Sequence, residues 1–227
     1  MSSLSHGYRN LTIAIVFLFP IYPLLVTEGW VGRMIELFLG LAILTSPIFV
    51  IKGRNHSFKT MSLPIIIIIL LVIGAVKPEL SWLVMIKEFL LMVFLLEVIR
   101  VIARHVFTTK RVSTADSLYG AVCIYLLTGV FFAHTYFLIN LIAPNSYGCS
   151  TSLCAGHLDS AFQNGVDIYY SFVTLTTMGY GDVVPLSPFA GMIAVLEAII
   201  GQMYVAIVVA RLVGLYLLEA EQKETRS

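Results

Sequence analysis

The sequence predicts an all-α membrane protein: six transmembrane helices, a short re-entrant helix, and an extended segment just before the last span. Three observations predict it. The chain is 59% hydrophobic and 12% charged over 227 residues, with a mean hydropathy of +0.93. A water-soluble domain of that length could not cover so much apolar surface. Six stretches approach the length of about 20 largely apolar residues that a bilayer-spanning helix needs. Basic residues gather in alternate loops, as membrane topology requires.

The spans are Leu11–Val26, Met34–Ile51, Met61–Val76, Leu80–Val101, Ser117–Leu141 and Pro188–Leu218. The first is short and carries Pro20 and Pro23; a signal peptide is the competing reading, but no small-residue cleavage site follows it. With Arg9 and the N-terminus in the cytoplasm, Lys52, Arg54 and Lys59 also fall inside. So do Arg100, Arg104, Lys110 and Arg111, and Lys223 and Arg226 of the tail. The outer loops keep Arg33 and Lys77, beside Glu28 and Glu79. Both termini are therefore expected in the cytoplasm, in a chain resident in the cell membrane. Residues 1–110 read as a four-helix bundle and 111–227 as a second domain.

The loop after the fifth span is polar and outside. After it, "IYYSFVTLTT" makes about three helical turns, too short to cross. The next residues, "TMGYGDVVP", suit neither helix nor strand. The chain thus dips into the membrane and returns to the same side. Irregular backbone at that depth is tolerated only where it is buried in protein or lines a watery path. A desolvated cation needs closely spaced, neutral oxygens, and backbone carbonyls supply them when all turn to one side. Gly179 and Gly181, alternating with Met178 and Tyr180, permit that turn. Thr177 adds a hydroxyl, and the short helix Asp167–Thr176 aims the negative end of its dipole at the space below.

Thr177-Met178-Gly179-Tyr180-Gly181-Asp182 resembles the potassium-channel signature TVGYGD, with Met for Val. The longer stretches "YYSFVTLTTMGYGD" and "VLEAIIGQMYVAIVVARLVG" resemble small bacterial channels of this group, and the likeness covers the two-span pore module, roughly Ser117–Leu218. The resemblance implies that Thr177, Met178, Gly179, Tyr180 and Gly181 bind K+ as the transported ion. It implies no other cofactor, a homotetramer, and residence in a bacterial inner membrane. A monomer would leave the filter carbonyls facing lipid. Thr176, Tyr169, Tyr170, Asp182 and Glu197 are candidate supports of the filter. By resemblance, Tyr169 should reach Asp182, and Tyr170 should reach the Tyr180 hydroxyl. Gly201 lies where the family's inner helix often has its hinge, and Val205 and Val209 should face the cavity below it. Val173 and Tyr169 depart from commoner family choices, a glutamate and a tryptophan, and leave Asp182 fewer obvious partners.

The fourth span lacks the arginine-every-third-residue ladder of a voltage sensor. Arg100 and Arg104 read as interfacial anchors, with Glu97 an in-helix partner of Arg100. Lys87 and Glu88 lie deeper; Glu36 is a candidate partner for Lys87, and snorkelling is the alternative. Glu197 is either a proton-sensitive brace behind the filter or a buried carboxyl satisfied by hydroxyls such as Ser171 or Thr174. Cys149 and Cys154 share the outer loop and are either bridged or two free thiols; Cys123, inside the fifth span, should stay reduced.

The chain shows no HExxH, GxSxG, phosphate loop or dinucleotide fingerprint, so no enzyme class is indicated. A net charge of +1 gives no reason to expect nucleic acid. The rival functions are a weakly selective cation channel and a non-conducting regulatory channel subunit.

Overall fold

A computed structural model of the chain describes residues 69, 81–108, 114–149 and 165–224. The first three expected spans lie outside these residues apart from Ile69, as do Glu36 and Cys154.

Four helices and one small sheet make up the described part. α1 spans Ser81–Thr108, α2 Thr114–Ile142, α3 Asp167–Leu175 and α4 Pro188–Glu224. α1 runs beyond the expected end at Val101 because Ile102 and Val106, four residues apart on one face, bury against α2. That contact also includes Phe94, Leu95 and Val98 of α1 with Cys123, Ile124 and Leu127 of α2. Residues 117–142 and 188–214 are long and apolar enough to cross a membrane. α4 starts where local chemistry dictates. Ser187 caps it, accepting the Ala190 N–H at 3.2 Å, and Pro188 takes the first helical position, where no N–H is needed.

A purely helical fold needs one amendment. β1 (Tyr147–Cys149) pairs antiparallel with β2 (Val183–Pro185), setting Tyr147 opposite Pro185 and Cys149 opposite Val183. The Leu186 N–H extends the pairing by donating to the Ser146 carbonyl at 2.8 Å. The clamp joins the chain leaving α2 to the chain leaving the "TMGYGD" segment. A second core lies beneath it. Phe132, Tyr136 and Ile139 of α2 meet Tyr147, Tyr170, Val183 and Ala190 there. Tyr136, Tyr147 and Tyr170 meet edge-on or tilted, with ring centroids 4.8 to 5.5 Å apart, within the favourable range for aromatic pairs. Burial raises the Tyr147 phenol above its ordinary range.

Candidate functional site

α3 places the segment that follows it. Asp167 sits in its first turn, favourable to the helix dipole. At its other end the backbone folds back on itself. The Thr177 N–H donates to the Thr174 carbonyl at 2.9 Å, and the Met178 and Gly179 N–H groups donate to the Val173 carbonyl at 2.9 and 3.4 Å. A trans peptide points its N–H and the preceding C=O in opposite directions. With these three N–H groups turned toward α3, the carbonyls of Thr176, Thr177 and Met178 turn away from it, toward the open side of the chain.

The dihedrals continue the pattern upward. Thr177, Gly179 and Gly181 have φ of 59°, 54° and 76°, alternating with residues of ordinary sign. Sequence reasoning expected the reversal at the two glycines and named Thr177 for its hydroxyl; Thr177 also holds a left-handed conformation, which a β-branched residue rarely adopts. Such strain collects at functional sites. A Cβ at Gly179 or Gly181 would meet nothing within 4 Å. Backbone conformation, not space, therefore calls for glycine there. Residues 176–181 are all exposed on the open side.

The Tyr169 hydroxyl donates to Asp182 Oδ2 at 2.5 Å, and Asp182 Oδ1 accepts the Val183 N–H at 2.9 Å. Asp182 is thus better partnered than its sequence surroundings suggested. Tyr170 differs from expectation. Within this chain it bonds with Thr174 and packs among Tyr136 and Tyr147, while the Tyr180 ring stands 66% exposed. The two-ring pocket offers Tyr170 burial that the open side does not. Thr176 donates its hydroxyl to the Phe172 carbonyl at 2.6 Å, satisfying one of the last acceptors of α3.

Glu197 is buried behind α3, with Oε1 2.5 Å from Ser171 Oγ and Oε2 accepting from the Tyr136 hydroxyl. Ser171 was an expected partner and Tyr136 was not; Thr174 pairs with Tyr170 instead.

Gly201 lies within unbroken helix, and a Cβ there would sit 2.1 Å from the Leu175 carbonyl oxygen. A close approach of α3 to α4 therefore explains this glycine without any bend. The same carbonyl accepts the Tyr125 hydroxyl at 3.3 Å. Val205 and Val209 are exposed in the single chain.

Two further ties escaped the sequence reading. Glu88 is buried and pairs with Lys87 and with His134 of α2, each at 2.8 Å. Arg211 of α4 donates to the Val106 carbonyl at 2.5 Å and lies 4.5 Å from the centre of the Phe107 ring. It serves a carbonyl in the last turn of α1, where no helical donor remains. Glu97 and Arg100 form the expected in-helix pair. Cys123 is a buried free thiol and Cys149 is disulfide-bonded.

Residues 122–217 match the model of a family described as ion channel. No curated protein and no solved structure matches the chain. The matched residues run from α2 to the C-terminal part of α4, so both apolar helices, α3 and the "TMGYGD" segment lie within or overlap the match. These residues form a membrane module similar to that ion-channel family.

Proposed function

We propose that the protein is a potassium-selective channel, conducting K+ passively through a homotetramer with Thr177–Gly181 as its filter. The observation that carries the reading is the backbone of that segment. Three N–H groups are tied back to α3, and three alternating positive φ angles lie at Thr177, Gly179 and Gly181. Carbonyls turned to one side are the ligands that replace an ion's hydration shell. One chain supplies one wall of such a cage. The exposed apolar residues of α4, among them Ile199, Met203 and Val213, are suited to packing against further copies. In the tetramer Val205 and Val209 line the inner cavity, and both termini face the cytoplasm. α1 serves as the fourth of six spans. Potassium efflux from liposomes holding the purified full-length protein tests the reading: efflux that sodium salts do not support agrees with it, and no efflux contradicts it.

Tyr169→Phe removes a bond to a charged acceptor, of a kind contributing about 1.5–3 kcal/mol. The variant should assemble normally and lose conduction faster during sustained opening; unchanged decay in single-channel records would count against this filter tie. The missing arginine ladder predicts weak voltage dependence, since each charge moved contributes about 2.3 kcal/mol per 100 mV. A steep conductance–voltage relation would refute that expectation.

A further inference from the structure

Behind α3, three short oxygen–oxygen contacts outnumber the protons that the hydroxyls can supply. Ser171 Oγ lies 2.7 Å from the Gly129 carbonyl oxygen and 2.5 Å from Glu197 Oε1, and the Tyr136 hydroxyl donates to Glu197 Oε2. A hydroxyl has one proton to donate; a carbonyl or an ionised carboxylate has none. Tyr136 spends its proton on Oε2. Ser171 can donate to Gly129 or to Glu197, but not to both.

With Glu197 ionised, one of the Ser171 contacts would press two acceptors together with no proton between them. Ser171, Glu197 and Tyr136 are each 0% exposed, so the mismatch would be buried. An unsatisfied buried polar group is costly, and an unpaired buried charge more so. The titratable groups facing Glu197 are Tyr125 and Tyr136 on α2, Tyr147 on β1 and Tyr170 on α3. Among the described residues no cation faces it. The third proton therefore has one available home.

We propose that Glu197 is a neutral carboxylic acid that donates from Oε1 to Ser171, which donates in turn to the Gly129 carbonyl, and that this chain positions α3 behind the filter. It links α4 to α3 and α3 to α2, while Tyr136 closes a second link from α2 to α4. α3 carries the Val173 carbonyl that anchors the base of the filter. Loss of the proton at high pH removes the donor to Ser171 and leaves a charge among phenols. Conduction should then fall as pH rises.

Glutamine separates the alternatives. Its amide N–H replaces the acid O–H toward Ser171, and its amide oxygen still accepts from Tyr136. In infrared difference spectra of purified full-length wild type against Glu197→Gln at neutral pH, the wild type should show the carbonyl band of a protonated acid, shifted in heavy water, that the variant lacks. Glu197→Gln should keep the thermal stability of the wild type and lose the alkaline fall in potassium efflux, whereas Glu197→Ala should melt at lower temperature. Ionised-carboxylate bands in the difference spectrum, or failure of Glu197→Gln to assemble, would overturn the proposal. The efflux measurement rests on the channel reading; the infrared and melting measurements do not. A protein that shows the acid band and passes no ions would contradict the channel and uphold the proton.

Discussion

Gly179→Ala is expected to abolish potassium-selective conduction while leaving the helices folded. Gly179 holds φ at 54° with open space around the missing Cβ. An L-residue in that conformation costs roughly 1–2 kcal/mol more than glycine. Relaxing to a negative φ turns a carbonyl off the common side, and the proposed ring of identical chains would repeat the fault in every subunit. Thr177 already holds a left-handed φ of 59° one turn of the pattern below, so the segment has little slack to absorb a second strained residue. Circular dichroism should be unchanged and potassium efflux lost. Parental efflux from the alanine variant would mean that this backbone does not carry the ions.

Gly201→Val should act on assembly rather than on opening. A Cβ at this site would lie 2.1 Å from the Leu175 carbonyl oxygen, and that atom is backbone and cannot swing aside. Overpacking of this kind costs about 1–3 kcal/mol in each subunit. α3 would be pushed from α4, and the filter base with it. Size-exclusion chromatography and thermal melts should show less, and less stable, of the proposed tetramer. If Gly201 matters only as a bend point, the variant would assemble with normal stability and open more slowly. The two outcomes separate a packing glycine from a flexing one.

The parts of the site that follow one another along the chain were legible in the sequence. "TMGYGD" declares a backbone that no regular element tolerates, and its place between a half-length helix and a span gives it a role. The ends of α3 and the start of α4 were legible too, because Asp167, Ser187 and Pro188 are local signals. Pairings across the fold were not. Glu88 and His134 are 46 residues apart, and Tyr136 and Glu197 are 61 apart. Helices apolar on nearly every face give no periodic signal to say which side meets which neighbour. Nothing local to His134 marks it as the partner of a carboxylate on α1. The β1–β2 clamp was missed because each strand has three residues, too few for alternation to register. Gly201 was read as a hinge by resemblance; its close approach to the Leu175 carbonyl had no sequence signal.

Selectivity is a difference between two desolvation balances, and in the proposed filter the carbonyl rings beside Tyr180 contribute to it. Tyr180 is exposed in the single chain, and aspartate there is smaller and charged. The direct measurement is the reversal potential in planar bilayers, potassium on one side and sodium on the other, for the wild type and for Tyr180→Asp. The account predicts a wild-type reversal close to the potassium limit, and a Tyr180→Asp tetramer that still conducts but reverses near zero. A wild type that reverses near zero, or a Tyr180→Asp tetramer that excludes sodium as well as its parent does, would contradict the assignment of Thr177–Gly181 as the selectivity filter.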